Sequence, residues 1–273
     1  MGNLSWLLLG TVGLLSLLGL INLHSTALAT QREVHIMQAA WLVIGSMAML
    51  VVIRMKASQI RLWIPLFYLL VLACLAGVLV FGVEVNGSRR WLSLGFARMQ
   101  PSEFAKLAVI TSLALFYERT KAQRVSWGEA VMVALVLGLP IILIFREPDL
   151  GHALMILFIG GTMTVYQRFN RRAVLTTVLV GLAALPALWE WGLRDYQKAR
   201  VLTLVGGHGD ALGAGWHSRQ ARLSVGSGGV FGKGHGGGTQ VAGGFLPENH
   251  TDFVFAHFAE EHGFIGASAV LAL

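Results

Sequence analysis

Long runs of apolar residues, separated by short polar segments, make up most of the chain. A helix needs about 20 apolar residues to cross a hydrocarbon core of roughly 30 Å, because unpaired backbone groups are too costly in lipid. The pattern predicts seven full membrane spans, over residues 4–23, 36–53, 62–82, 101–117, 127–145, 150–166 and 173–192. An eighth span begins near Asp252 and continues to Leu273. We therefore predict an all-α polytopic membrane protein, with seven spans and their short loops in residues 1–192, one long loop in 193–251 and the start of span eight in 252–273.

Composition agrees with a membrane protein. Hydrophobic residues are 55% of the 273, charged residues only 13%, and the mean hydropathy is +0.65, which excludes an ordinary soluble domain. The first apolar run has no basic segment before it and is longer than the core of a secretory signal, so we interpret it as a retained span. The one cysteine, Cys74, lies inside the third span and excludes an internal disulfide framework.

The distribution of positive charge predicts an orientation. With a cytoplasmic N-terminus, three compact basic loops lie inside, and they hold Arg54, Lys56 and Arg61, then Arg119, Lys121 and Arg124, then Arg168, Arg171 and Arg172. The long loop after Trp191 is then extracytoplasmic. Other basic residues fall outside, where the topology rule does not explain them, and they suggest an anion-binding surface: Arg89, Arg90, Arg98, Arg194, Lys198, Arg200, Arg219, Arg222 and Lys233.

The long loop is rich in glycine, since residues 206–244 hold 15 of the chain's 33 glycines. Aromatic and amide residues such as Trp216, Phe231 and Gln240 stand between them, rather than the serine repeats of a flexible linker. The segment is therefore predicted to be a folded loop with tight turns and a close backbone approach to a ligand. A disordered connector is the alternative.

Ionisable residues at membrane depth are functional candidates. Glu103 and Lys106 stand three apart on one face of the fourth span, where they can pair. The pair either holds the helix end or borders an aqueous cavity and positions a charged substrate group. Asp149, in the turn before the sixth span, either belongs to such a site or caps the helix.

Two arginines lie beside a tryptophan on an outside loop, at Arg89, Arg90 and Trp91. Guanidinium groups bind phosphate oxygens in pairs, and tryptophan sits at the headgroup level, so this segment suits a phosphate or pyrophosphate. Simple anchoring on lipid headgroups is the alternative.

The strongest local candidate is Asp252, where a polar segment enters the last span. A carboxylate partly withdrawn from water holds a proton more readily, which suits it to accept one from a sugar hydroxyl. Helix capping by Thr251 or Asp252 is the competing interpretation. His250 and Asp252 could share a metal ion, but no cysteine or HExxH pattern supports zinc.

Several motifs in order resemble the shape, elongation, division and sporulation family of bacterial polytopic proteins, which includes RodA, FtsW and SpoVE. They are NGSRRWLSLG at 86–95, QPSEFAK at 100–106, EPDLG at 147–151, SVGSGGVFGKG at 224–234, GTQ at 238–240, LPENHTDFVFA at 246–256 and EEHGFIG at 260–266. The resemblance covers the whole chain and is greatest to the elongation (RodA) branch, through DYQKARV at 195–201 and DALGAGWHSRQARLSVGSGG at 210–229. The chain departs from the family pattern at Glu147, usually Gln, at Asn249, often Arg, and at His262, usually aliphatic.

The resemblance implies ten transmembrane helices and a peptidoglycan glycosyltransferase that polymerises lipid II in the bacterial cytoplasmic (inner) membrane. It implies a class B penicillin-binding protein and other elongation-complex membrane proteins as partners, and no nucleic acid. Asp252 matches the essential aspartate, so we expect it to be the general base, and we expect substrate-binding roles for Arg89, Arg90, Glu103, Lys106, Asp149, Lys233, Gln240 and His250.

Two other functions stay open: a transporter that flips lipid II, and a scaffold that recruits the crosslinking enzyme. The motifs identify no certain cofactor, and a role for a divalent cation such as magnesium or manganese stays open. Because the sequence stops inside the eighth of ten expected spans, we expect a fragment or a truncated product.

Overall fold

The structure is a computed structural model, and it describes part of the chain. The described residues are 6–30, 33–85, 88–93, 95, 98–120, 127–166, 188–192, 214–246 and 249–273, with single positions at 179, 183, 186, 198 and 202. The chain forms two compact units, residues 1–54 with 194–273, and residues 55–193.

Helices dominate both units. In chain order the described elements are α1 (Trp6–Thr30), α2 (Val34–Arg54), α3 (Ala57–Phe81), β1 (Val83–Val85), β2 (Ser88–Ser93), β3 (Arg98–Met99), α4 (Pro101–Arg119), α5 (Trp127–Arg146), α6 (Leu150–Tyr166), a π-helical turn (Leu188–Gly192), α7 (Ala214–Ser227), α8 (Thr239–Ala242) and α9 (Val254–Ala272).

The polytopic helical prediction is confirmed. Among the described helices, four are long and apolar enough to cross a membrane, over Trp6–Leu28, Val34–Arg54, Ala57–Phe81 and Gly128–Arg146. Helix α4 has four charged residues in its 19, and α6 has only 17 residues, so these two predicted spans are weaker by composition and length. Most of the predicted seventh span lies outside the described residues.

In the unit of residues 55–193, helix α3 packs against α4 and α5, and α6 packs against both α4 and α5. Their apolar faces meet in one core, whose most buried side chains include Val71, Leu75, Val109, Leu113, Ile144 and Ile156. The opposite faces expose large apolar side chains, as expected of helices whose outer surface contacts lipid.

A small antiparallel sheet occupies the predicted outside loop of residues 83–100. Strand β2 pairs with β1 (Val83 opposite Trp91) and with β3 (Leu92 opposite Met99). The pattern of apolar and polar residues does not predict this sheet, because strands of two to six residues show little alternation. It matters for the site because neighbouring strand residues point to opposite faces, which separates Arg89 from Arg90.

In the unit of residues 1–54 with 194–273, the predicted long loop contains helices. Helix α7 packs against α9, and a small core forms around Val241, Leu246 and Ala256. The described part of the glycine-rich segment is therefore folded, as predicted. The eighth predicted helix begins at Val254, two residues later than expected.

Helix α9 is interrupted at Gly263, whose φ of 67° is incompatible with a continuous helix. The glycine-rich segment pairs with the interrupted backbone from both sides. Lys233 N donates to Glu260 O (3.1 Å) and Gly234 N donates to Glu261 O (2.9 Å). In the other direction, Phe264 N donates to Gly229 O (2.8 Å) and Ile265 N donates to Val230 O (3.2 Å). A broken helix in a membrane protein needs such substitute partners, so these backbone hydrogen bonds stabilise the interruption.

Candidate functional site

The first polar cluster, here the Asp149 cluster, joins α4, α6 and the sheet in the unit of residues 55–193. Its members are Arg90, Gln100, Glu103, Lys106, Asp149 and His152. The predicted ion pair is present, since Lys106 Nζ lies 2.8 Å from Glu103 Oε2.

His152 connects two carboxylates of this cluster. Its Nε2 lies 2.6 Å from Glu103 Oε1 and its Nδ1 lies 2.9 Å from Asp149 Oδ2. Both ring nitrogens face carboxylate oxygens, and only the imidazolium form donates from both, so a positive charge fits best between the two acids. His152 was not among the residues predicted from the sequence, although its position three residues after Asp149 on a helix indicates that the two side chains can meet.

Asp149 belongs to the polar cluster and also makes a helix-capping contact, while a substrate-binding role stays a prediction. Its side chain is almost fully buried, accepts a hydrogen bond from Gln100 Nε2 (3.1 Å), and receives a longer capping contact from His152 N (3.4 Å). Arg90 Nη1 lies 3.8 Å from its carboxylate. Burial alone would raise the pKa of Asp149, but the His152 hydrogen bond and the charges of Arg90 and His152 hold that pKa below its ordinary value.

The guanidinium groups of Arg89 and Arg90 do not converge on one phosphate-binding position, contrary to the prediction. Arg90 is turned toward the 147–149 turn, where its Nη2 donates to Pro148 O. Arg89 is mostly exposed and lies 3.9 Å from Glu84. The reason is the strand: consecutive side chains of β2 point to opposite faces, so the two guanidinium groups diverge.

Glu147 was noted only as a departure from the family pattern, yet it is the most unusual acid of this unit. It is 1% exposed, and neither carboxylate oxygen has a hydrogen-bond partner among the described residues. Burial, reinforced by the charge of Asp149, raises the pKa of Glu147 to about 8, although Arg90 and His152 oppose the shift. Glu147 is therefore mainly protonated at neutral pH.

We expect Glu147→Gln to stabilise the protein at alkaline pH. Because the pKa is raised from 4.5 to about 8 on folding, the folded state keeps a proton that the unfolded state releases between these values. Stability contributed by this group is thus lost as pH rises through that window, by on the order of 1.4 kcal/mol per pH unit. Glutamine has no such proton, so the variant's melting temperature in detergent should fall less as pH rises than the parent's does.

The control for this experiment is Glu118→Gln, which removes an exposed carboxylate paired with Arg61 at the protein surface. Exposed pairs contribute little, so its pH profile should follow the parent. Identical profiles for both variants and the parent would contradict the assignment of a buried proton to Glu147.

The second polar cluster, here the Glu260 cluster, lies in the other unit and surrounds a fully buried acid. Glu260 accepts hydrogen bonds from Ser224 Oγ (2.9 Å), Thr239 N (2.9 Å) and Gln240 N (3.2 Å). Lys233 Nζ supplies the counter-charge at 2.6 Å. A buried carboxylate with this many donors is well compensated.

Lys233 and Gln240 were predicted to bind substrate, which stays a prediction, and in the structure both contact Glu260. The ammonium of Lys233 has three protons, and Glu260, Ser227 Oγ (2.9 Å) and Thr239 Oγ1 (2.7 Å) accept them. Gln240 contributes its backbone N–H to the same acid. The sequence prediction treated Lys233 as a free cation because its partner, Glu260, is 27 residues away.

Asp252 lies in the turn before α9 and is exposed, rather than partly withdrawn from water as predicted. The N-cap position of α9 is Phe253, and no side chain caps it, so capping does not explain the aspartate. Its carboxylate makes no hydrogen bond or ion pair with another described residue, and His250, two residues earlier, is half-buried. Asp252 is thus available to a ligand.

A metal centre is not preassembled in the described part of the chain. No three His, Cys, Asp or Glu side chains there are placed to hold one ion. The divalent cation considered from the sequence stays a prediction.

Comparison with known proteins agrees with the motifs. The sequence of residues 4–273 matches the model of the FtsW, RodA and SpoVE family, described as cell cycle proteins. The chain is 37% identical over 235 residues to the peptidoglycan glycosyltransferase MrdB of Escherichia coli K12, which covers 84% of this chain and 63% of MrdB. It is 35% identical over 280 residues to a probable peptidoglycan glycosyltransferase FtsW of Halomonas elongata, covering 98% of this chain and 69% of that protein.

Solved structures show the same fold. A chain from a study titled "Structural coordination of polymerization and crosslinking by a peptidoglycan synthase complex" superimposes with a TM-score of 0.75 at 29% identity, covering all of this chain and 75% of that one. RodA of Thermus thermophilus gives a TM-score of 0.67 at 27% identity, covering all of this chain and 72% of RodA. Together with the apolar helices, these relatives identify a multi-pass bacterial membrane protein that spans 63% of the length of MrdB. The chain belongs to the FtsW, RodA and SpoVE family of cell cycle proteins.

Proposed function

We propose that the protein is a peptidoglycan glycosyltransferase that polymerises lipid II into glycan strands during cell-wall elongation. The observation that supports this most is Asp252, an exposed carboxylate without a described partner at the entry to α9, in the motif that resembles the family's catalytic segment. The names of the relatives, peptidoglycan glycosyltransferases MrdB and FtsW, support the same reaction.

In the proposed reaction, Asp252 accepts the proton of the acceptor's GlcNAc 4-hydroxyl as the hydroxyl oxygen attacks the donor's anomeric carbon. The glycosidic bond forms with inversion, and the bond to undecaprenyl diphosphate breaks, so that the diphosphate leaves with the electron pair. General-base assistance of this kind contributes about 10²- to 10⁴-fold. The proton on Asp252 is afterwards released to water.

Lys106 is the cation of the Asp149 cluster that remains available to bind an anionic substrate group. Its ammonium gives one of three protons to Glu103 and has no other described partner. Arg90, which is turned toward Pro148 and Asp149, supports the position of the 147–149 turn. The sequence predicted substrate-binding roles for both residues; we propose that Lys106 keeps this role, and no step is assigned to a metal ion.

Orientation and partner are further parts of the proposal. Three compact basic loops support a cytoplasmic N-terminus, which leaves Asp252 on the outer side. The similar chain from a peptidoglycan synthase complex that coordinates polymerisation and crosslinking supports a class B penicillin-binding protein as partner.

A transporter is the second candidate, and the break in α9 favours it, because interrupted helices are common where transporters bind ligands.

One assay separates the two functions. Purified full-length protein with its cognate transpeptidase is incubated with lipid II in detergent, where no second leaflet exists, and the products are separated by size. We expect glycan strands many disaccharides long. Unchanged lipid II in detergent, with lipid II translocation in vesicles, would overturn the proposal in favour of a transporter, and absence of both would favour a scaffold.

A further inference from the structure

Glu260 and Glu261 are adjacent on α9 and both fully buried, but they differ in the charges and hydrogen-bond donors that surround them. Glu260 has the counter-charge of Lys233 and a full set of donors. Glu261 accepts at one oxygen, Oε1, from Ser25 Oγ and from Gly236 N (2.9 Å), while its Oε2 has no hydrogen-bond partner among the described residues. A buried carboxylate with no cation at bonding distance is costly unless it gains a proton or a counter-ion.

Imidazoles are the nearest basic groups to Glu261. His257, one turn earlier on α9, is 1% exposed, has no hydrogen-bond partner at either ring nitrogen, and places Nε2 3.7 Å from Glu261 Oε1. On the other side, His235 of the glycine-rich segment places Nδ1 3.9 Å from Glu261 Oε2. Both separations exceed a hydrogen bond, but a small side-chain movement or one bridging water spans them.

His235 also faces an open cleft. Its second nitrogen, Nε2, lies 3.4 Å from Nδ1 of His24 on α1, and the two rings are parallel. His24 is exposed, and His35 of α2 lies edge-on to it with ring centroids 5.2 Å apart. These three histidines line a cleft of about 480 Å³ whose other walls are apolar residues of α1 and α2. His235 therefore uses one nitrogen toward the exposed cleft and the other toward the buried acid.

We propose that His24 and His235 form a proton relay that leads from this cleft to a buried proton-binding site shared by Glu261 and His257. The arrangement matches the chains of histidine and carboxylate that move protons in membrane proteins. Nothing in the glycosyltransferase proposal requires this relay, so a result against one of the two proposals leaves the other unchanged.

The transfer balances without any co-reactant. His24 takes a proton from solvent hydronium at Nε2, gives its Nδ1 proton to Nε2 of His235, and is left neutral. His235 gives its own Nδ1 proton to Glu261 Oε2, so the net change is one proton moved from solvent to Glu261. His235 is left as the other tautomer, and a ring rotation resets it. Neutral Glu261 is a weaker acceptor for Gly236 N, so proton uptake loosens the glycine-rich segment over α9.

The groups that face Glu261 come from α1, the glycine-rich segment and α9. From α1 it faces only the hydroxyl of Ser25, and from the glycine-rich segment it faces His235. On α9 the titratable groups beside it are Glu260, which Lys233 already neutralises, and His257, whose Nε2 lies 3.7 Å away. Among the described residues, no lysine or arginine forms an ion pair with Glu261.

The test is infrared difference spectroscopy of the purified full-length protein in lipid nanodiscs after a drop in pH. We expect a carboxylic-acid C=O band that Glu261→Gln removes. We expect His235→Ala to slow the rise of that band, on the order of 10²-fold if His235 is a positioned proton carrier. Added imidazole should restore the rate, which a merely structural defect would not allow.

His262→Ala is the matched control, because His262 stacks on Phe258, its Nδ1 lies 3.1 Å from the Phe258 carbonyl oxygen, and it makes no described hydrogen bond or ion pair with His24, His235 or Glu261. It should retain the parent rate. His235→Gln is the second relay variant, and it keeps a polar side chain in the segment. Either absence of a band sensitive to Glu261→Gln, or parent rates in both His235 variants, would overturn the relay. Stoichiometric zinc bound to the parent but not to His235→Ala would overturn it in favour of a metal site.

Discussion

The Asp252→Asn protein is expected to polymerise lipid II about 10²- to 10⁴-fold more slowly than the parent, the range that general-base assistance supplies. Asparagine has nearly the same shape but cannot accept the hydroxyl proton. Because the Asp252 carboxylate is exposed and has no described partner, the substitution leaves the fold intact. The measurement is the initial rate of glycan formation with the transpeptidase partner present, together with the melting temperature. The loss should appear in kcat rather than in KM.

Glu118→Gln is the control, since it makes the same acid-to-amide change at an exposed surface pair. It should keep both the parent rate and the parent melting temperature. Glycan synthesis at the parent rate by Asp252→Asn would remove the aspartate from the mechanism, and the scaffold function would then be the better explanation.

Replacing Gly232 by alanine is expected to cause a large loss of stability for the addition of one methyl group. A Cβ there would lie 2.1 Å from the carbonyl oxygen of Glu261, and the backbone φ of +81° already disfavours a side chain. The left-handed conformation costs roughly 1–2 kcal/mol and the steric overlap roughly 1–3 kcal/mol more. The overlap also separates the glycine-rich segment from the break in α9.

Gly234→Ala is the matched comparison, because its φ is +86° but a Cβ there meets nothing within 4 Å. This variant should lose only the free energy that the left-handed backbone conformation costs a residue with a side chain, roughly 1–2 kcal/mol. The readout is thermal unfolding in detergent at one pH. Equal losses in the two variants would show that the segment does not press against the α9 backbone as the structure describes.

Hydrophobic length was enough to predict the helical bundle. The spans that became α1, α2, α3 and α5 are recognisable because lipid demands about 20 apolar residues in succession. The pairing of Glu103 with Lys106 was also predictable, since it depends on spacing within one helix.

Contacts between distant segments were not predictable in the same way. His152 reaches Glu103 only because α6 packs against α4, and Lys233 reaches Glu260 only because the glycine-rich segment folds over α9. The burial of Glu147 depends likewise on its neighbours in space. Charge and spacing thus identified several of the residues in the polar clusters. They did not show which cations were already paired with carboxylates.

Asp252 must face the outer compartment if it is to meet the sugar headgroup of lipid II, and cysteine labelling tests this directly. The only native cysteine is replaced (Cys74→Ala), and one new thiol is introduced by Asp252→Cys or, as the cytoplasmic control, by Ser58→Cys in an exposed position of α3. A maleimide that cannot cross the membrane is applied to intact spheroplasts. We predict labelling at position 252 and none at position 58 until the membrane is opened; labelling at 252 only after permeabilisation would contradict the proposed reaction.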